Sequence, residues 1–278
     1  GLEIGDWELE EAVTRYGPIK HFTDIIPRIN ILGVGISALT LAQATAQIAA
    51  WIKNRACQYV SVCTVHTVME CQRDETMRRA VNGAGLATPD GMPLVWLSRW
   101  RSRTAVSRVY GPDLMLALAQ LSVEQGYTHY FYGGAAGVPQ LLAERLQTRL
   151  PGLKVAGAYS PPFRPLTPGE EADMIEQINQ AAPDIVWVGL GTPKQDLWMA
   201  AHRQQLTAPV LIGVGAAFDF HTGRIPQAPR WMQQAGLEWS FRLGQEPKRL
   251  WYRYLVYNPL FVLLVLAQTL GLKRYALK

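Results

Sequence analysis

Five stretches of the chain carry residues that could do chemistry, and each follows a short apolar run. Pro89-Asp90-Gly91 holds a carboxylate on a bend, where it could accept a proton from an attacking hydroxyl; the same triplet also makes an ordinary turn. Gly133-Gly134-Ala135-Ala136-Gly137 could bring backbone N–H groups to phosphate oxygens at a helix start, or could form a tight strand-to-helix turn and nothing more. In Gly189-Leu190-Gly191-Thr192-Pro193-Lys194-Gln195, Thr192 is expected to cap a helix with Pro193 at its first position. Lys194 would then suit a phosphate and Gln195 a sugar or base edge near the helix N-terminus. Gly213 to Phe220 ends in small residues followed by Phe218 and Asp219, whose carboxylate could bind ligand hydroxyls or its own loop. His66 lies just past Thr64, where an imidazole is either structural or a ligand contact.

These motifs exclude several chemistries. A dinucleotide fold calls for an acid after the second strand, and Tyr159-Ser160 stands there. No Gly-x-x-x-x-Gly-Lys-Ser/Thr run occurs, so this is no P-loop ATPase. No Asp-x-Asp occurs to hold a divalent ion on a sugar diphosphate, so neither metal nor cofactor is expected. The cysteines, Cys57, Cys63 and Cys71, are odd in number and lack ligand spacing, which fits a reducing compartment rather than a disulfide or zinc framework.

Alternating strand and helix signals must position these residues. Strands are predicted at 59–64, 128–132, 154–158, 185–189 and 210–214. Helices are predicted at 67–80, 113–125, 140–150, 170–182 and 196–205. Such alternation indicates an α/β, Rossmann-like domain with a mainly parallel sheet flanked by helices, and ligands bind such sheets at the carboxyl ends of the strands. The candidate motifs all fall there, which points to one composite site. Residues 160–168 carry four prolines and read as a stiff surface loop.

With 278 residues, 49% of them hydrophobic and a net charge of +5, the chain is globular in composition and suited to anionic partners. Residues 1–29 read as an acidic leader without signal-peptide character, and 30–222 as the core. Residues 223–278 read as a C-terminal appendage. There Arg224, Arg230, Arg242, Lys248, Arg249 and Arg253 outnumber Glu238 and Glu246, with three tryptophans among them. Tyr254 to Leu272 is uncharged and would be about 28 Å long as a helix. Asn258-Pro259 looks like a helix start, which would shorten the apolar part to about 21 Å. That favours an interfacial helix over a span, with Lys and Arg meeting anionic head groups, and argues against nucleic acid.

At these motifs the chain resembles the bacterial WecG/TagA/CpsF glycosyltransferases. The match runs from about Ile31 to Phe261. It rests on Thr64 with Pro89-Asp90-Gly91, Gly111-Pro112-Asp113-Leu114, Gly133-Gly134 with Gly137, residues 189–195 and 215–220, Gly236-Leu237-Glu238-Trp239, Arg242-Leu243 and Glu246-Pro247-Lys248-Arg249-Leu250. The resemblance implies an inverting hexosyl transfer from UDP-N-acetylmannosamine or a related UDP-sugar. The acceptor would be a sugar on undecaprenyl diphosphate, in synthesis of a bacterial surface polysaccharide or cell-wall polymer. Asp90 would be the base, aided by Thr64 and Arg249. His66, Asp113, Gly133, Gly134, Gly137, Gly191, Pro193, Lys194, Gln195, Phe218 and Asp219 would bind substrate, with Arg242 and Arg253 folding over the site from an appendage docked on anionic lipid. The protein would be cytoplasmic, peripheral on the inner face of the plasma membrane, with a homo-oligomer left open. His66 replaces the common Asn, Pro112 a Thr, Asp196 a Glu and Gln227 an Arg. Two rival readings are a nucleotide-sugar binding module without turnover and a soluble Rossmann-like methyltransferase or oxidoreductase. The second fails on the missing acid and the apolar tail.

Overall fold

The computed structural model describes residues 26–277, so most of the predicted leader lies outside the described residues. An antiparallel hairpin comes first, β1 (Arg28–Ile31) with β2 (Val34–Ser37). Six parallel strands follow: β3 (Gln58–Cys63), β4 (Leu86–Pro89), β5 (Thr128–Gly133), β6 (Lys154–Tyr159), β7 (Ile185–Gly189) and β8 (Val210–Gly213), in spatial order β4-β3-β8-β7-β5-β6. The helices between them are α1 (Leu41–Lys53), α2 (Val65–Arg73), α3 (Glu75–Gly83), α4 (Met92–Arg101), α5 (Gly111–Gln125), α6 (Val138–Arg149), α7 (Pro168–Ala181) and α8 (Lys194–His202). This is the Rossmann-like α/β architecture expected from the alternation.

All the strands of this sheet but the edge strand β6 are buried on both faces, and their two-residue period sorts the core. Val60, Val62, Phe131, Trp187 and Ile212 pack on one face with α1, α5 and α6. Tyr59, Tyr130, Tyr132, Val186, Val188 and Leu211 pack on the other with Met174 and Ile178 of α7 and Met199 of α8. The strand order reverses around β3, β8 and β7, so their carboxyl ends open a crevice.

Three sequence expectations are corrected. The helix predicted over 67–80 is two helices. Asp74 ends α2 and caps α3, its Oδ1 accepting from the Thr76 N–H at 2.7 Å, and this local bond outcompetes helix continuation. Thr192 does not cap α8. Its hydroxyl donates to Asp196 Oδ2 at 2.9 Å, and Pro193 occupies the cap position ahead of the first helical residue. Pro259 does not start a helix. After α9 (Ala217–His221), α10 (Arg230–Gln234) and α11 (Glu238–Gln245), helical backbone is continuous over Pro247–Thr269. It comprises α12 (Pro247–Trp251), a widened π turn (Tyr252–Val256) and α13 (Tyr257–Thr269). Pro259 has no N–H for the carbonyl of Leu255, and the π turn immediately ahead absorbs that missing bond.

By length and composition this 23-residue helix could cross a membrane. One stripe of it is part of the protein, however. Tyr257, Phe261 and Val265 are buried against Ile31, Leu32, Val34, Ile36 and the apolar face of α2 and α3. The opposite stripe, Leu260, Leu263, Leu266 and Leu270, is exposed.

Candidate active site

A cleft of about 1280 Å³ opens over the carboxyl ends of the strands, roofed by the segment from Arg224 to Asn258. Asp90 stands on its floor. The Asp90 N–H donates to the Cys63 carbonyl at 2.8 Å, and Pro89 is paired to Cys63 in the sheet, so Pro-Asp-Gly is a strand exit rather than a free turn. Gly91 then caps α4.

Arg108 holds the carboxylate. Its Nη2 donates to Asp90 Oδ1 at 2.9 Å and its Nε to the same oxygen at 3.1 Å, while Nη2 also meets Glu238 Oε2 at 2.6 Å. The Arg108 guanidinium lies 4.0 Å from the centre of the Tyr110 ring, whose hydroxyl donates to Glu238 Oε1 at 3.3 Å. Asp90 Oδ2 accepts no hydrogen bond among the described residues, and Asp90 lines the cleft. Burial pushes the Asp90 carboxyl up to about 6, Arg108 opposing and Glu238 adding to the rise. Burial works against the charge on Arg108, yet Asp90 and Glu238 outweigh it and hold that guanidinium above its usual value. The result is a carboxylate ionised at neutral pH yet basic enough to take a proton.

Of the other expected residues, Thr64, His66, Gly134, Gly191, Lys194, Gln195, Asp219, Arg242, Arg249 and Arg253 line the same cleft. Thr64 also caps α2, exchanging bonds with Thr67. His66 stacks on Tyr257 at 5.8 Å, and its Nδ1 lies 3.7 Å from Glu70, too far for a hydrogen bond. Burial, with Arg253 nearby, depresses it to about 3, so the ring is neutral. Gln195 is buried and ties two loops together: its Oε1 accepts from the Gly215 N–H at 2.9 Å and the Gly191 N–H at 3.2 Å. Lys194 is exposed. Burial raises the Asp219 carboxyl, and Arg224, at 3.4 Å, opposes the rise.

The appendage arginines differ among themselves. The Nε atoms of Arg242 and Arg253 are buried without a hydrogen-bond partner among the described residues, and burial lowers Arg253. Arg249 is paired with Glu246. Guanidinium groups that line a cleft without an ion pair among the described residues suit an anion with several oxygens.

Five expected residues do not line the cleft. Gly133 is beneath it at φ +121°, and a Cβ there would sit 2.6 Å from the Gly189 backbone. Gly137 caps α6 at φ +80°. Phe218 is buried against Phe131 under Gly189, Pro193 precedes α8, and Asp113 faces Arg230 at 3.2 Å. Sequence reasoning missed Arg108 and Tyr110, and quoted Asp196 and Glu238 without a role. The available signal was the tripeptide Arg108-Val109-Tyr110 directly ahead of the Gly-Pro-Asp start of α5. Asp196 is buried and pins Ser61 of β3 to Thr192. Among the described residues no three His, Cys, Asp or Glu side chains gather as a metal site.

A strand-end cleft on a Rossmann-like sheet thus sets a carboxylate beside Arg242 and Arg253, which make no ion pair among the described residues, an arrangement suited to taking a proton next to an anionic group. Comparison with known proteins gives the family. Residues 29–275 match the glycosyl transferase WecG/TagA/CpsF family, and the chain belongs to it. It is similar to two proteins named N-acetylglucosaminyldiphosphoundecaprenol N-acetyl-beta-D-mannosaminyltransferase. One is from Bacillus spizizenii (strain ATCC 23059 / NRRL B-14472 / W23), at 29% identity over 67% of this chain and 70% of the relative. The other is from Bacillus subtilis (strain 168), at 29% over 73% and 77%. The protein is therefore a glycosyltransferase of the hexosyltransferase type. The relatives' names specify a sugar acceptor on undecaprenyl diphosphate.

Proposed function

We propose that the protein transfers an N-acetylmannosamine-type sugar, with inversion, from its UDP-sugar to a sugar carried on a polyprenyl diphosphate. Asp90 Oδ2 takes the proton of the acceptor hydroxyl as that oxygen bonds to the anomeric carbon. The bond from that carbon to the diphosphate breaks, and UDP leaves with the electron pair. Arg108 and Glu238 aim the base. Arg242 and Arg253, joined by Arg249 once it leaves Glu246, neutralise the diphosphate in place of a metal ion. Backbone N–H groups around Gly134 and Gly191, with Lys194, Gln195 and Asp219, hold the nucleotide. Thr64 and the neutral His66 border the sugar.

One observation carries this reading: Asp90, held by Arg108 through Oδ1, lies in a cleft lined also by Arg242 and Arg253, neither in an ion pair among the described residues. The exposed leucine stripe of α13 and the arginines beside it support peripheral attachment to anionic lipid on the cytoplasmic face, where a lipid-linked acceptor would be met. The test is a screen of UDP-sugars for UDP release with a short-chain lipid diphosphate-sugar acceptor. Release that depends on the acceptor is expected. UDP binding without release from any pair would leave a binding module instead.

A further inference from the structure

The apolar face of α13 does not stop at the appendage. Helix α4 leaves the active site at Gly91 and runs outward for ten residues, about 15 Å. At its outer half it carries two tryptophans one turn apart, Trp96 and Trp100, 49% and 67% exposed. Each is joined to the C-terminal segment by a different contact. Trp96 packs on Gly236, where an added Cβ would come 2.9 Å from its ring, next to the exposed Leu237 and Trp239. Trp100 lies beside Arg101, whose guanidinium is 5.6 Å from the ring centre. That same guanidinium donates to Thr269 Oγ1 at 2.9 Å and to Gln268 Oε1 at 3.2 Å, at the end of α13. Leu97, between the two tryptophans, packs in the cluster that holds Phe261 and Val265. The segment of α13 that bears the exposed leucines, the pair on α4 and the turn at Leu237 and Trp239 are thus linked by direct contacts.

The charge around the pair has one sign. Arg99, Arg101 and Arg103 follow Trp96 within seven residues, and no Asp or Glu occurs between Gly91 and Pro112. Arg99 and Arg103 are exposed. Tryptophan with arginine at the border of an exposed apolar face matches the headgroup layer of an anionic bilayer, where the indole and guanidinium both find polar partners.

We infer that α4 is a second membrane contact, in which Trp96 and Trp100 enter the headgroup region of an anionic bilayer beside α13. This rests on the membrane attachment proposed above and adds a role in geometry. Because Gly91, the residue after Asp90, caps α4, that helix's contact would limit the height of the base above the lipid surface to at most about one ten-residue helix length, ~15 Å. The acceptor's reactive hydroxyl must stand at that height.

The test uses the full chain and its Trp96→Ser/Trp100→Ser variant, with vesicles of phosphatidylglycerol and phosphatidylcholine. Co-sedimentation should weaken about tenfold or more in the variant, from the loss of two large apolar contacts. Turnover of a soluble short-chain acceptor should be unchanged, since neither ring lines the cleft. Amide exchange over residues 96–105 of the wild type should slow on anionic vesicles and not on pure phosphatidylcholine. Undiminished vesicle binding by a folded variant, with no vesicle-dependent protection of 96–105, would overturn the inference while leaving the attachment through α13 intact. Protection that follows protein concentration without vesicles, together with a doubled mass in light scattering, would assign the face to a second copy and also overturn it. A wild type that binds no vesicles would overturn the attachment itself, and the transfer reaction would be judged separately by UDP release.

Discussion

Arg108→Gln offers the sharpest perturbation of the site. It removes the cation 2.9 Å from Asp90 and leaves Glu238 facing the same space. Two unit charges about 4 Å apart at an effective dielectric near 20 interact by about 4 kcal/mol, which is about three pK units and a ceiling. Water entering the vacated space reduces this to about one to two units. The Asp90 carboxyl, at about 6 in the intact site, therefore rises to about 7 to 8. The sign follows from the role. A general base works ionised, so raising its pKa moves the acid limb of the kcat/KM profile to higher pH. Near pH 7 the variant should lose about two- to tenfold from protonation alone, and it should recover much of that loss at about pH 9. Arg108→Lys, which keeps the charge without the two-pronged grip on Oδ1, should shift the limb less. The assay is UDP release across pH with donor and acceptor well below saturation. An unmoved acid limb, or a loss equal at every pH, would refute the coupling and place Arg108 on the substrate instead.

Other outcomes follow from packing and from the loops. Gly133→Ala should destabilise the fold by about 3 kcal/mol or more in urea titrations, because its Cβ would lie 2.6 Å from Gly189 in a left-handed conformation. Gly137→Ala, with open space around it, should cost only about 1 to 2 kcal/mol. Gln195→Leu leaves the Gly191 and Gly215 N–H groups without their acceptor, so KM for the donor should rise about tenfold while the acid limb stays in place. Leu263→Ser with Leu266→Ser should weaken binding to anionic vesicles about tenfold with the melting temperature nearly unchanged, since both side chains face outward. Deleting the tail from about Leu255 is a poorer probe, because it also strips Tyr257, Phe261 and Val265 from the core.

What the sequence disclosed follows from the range of the forces involved. Strand and helix alternation is local, so the parallel sheet and its strand-end loops were legible from 59–64, 128–132 and 185–189. The clustering of Thr64, Asp90, Gly134, Gln195 and Asp219 followed from topology, because parallel strands deliver all their carboxyl ends to one edge. What stayed hidden depends on partners far along the chain. Arg108 and Glu238 are 130 residues apart and gain meaning only when both reach Asp90. Thr192 has a good capping residue's chemistry, yet a buried carboxylate one turn on takes its hydroxyl. Asp74 was hidden for the opposite reason: it interrupts an otherwise periodic apolar stripe with a single side-chain bond. Helix α13 reads as one apolar run, and only the hairpin at Arg28–Ser37 shows that one stripe of it faces protein.

In the proposed reaction Asp90 removes the acceptor's proton. Asp90→Asn keeps the shape of the side chain and an oxygen for Arg108, and removes the basic site. With UDP-sugar and lipid diphosphate-sugar acceptor at saturation, we expect kcat for UDP release to fall by about a hundredfold or more, with UDP affinity and the melting temperature close to wild type. Turnover at the wild-type rate in a folded Asp90→Asn protein would contradict the account.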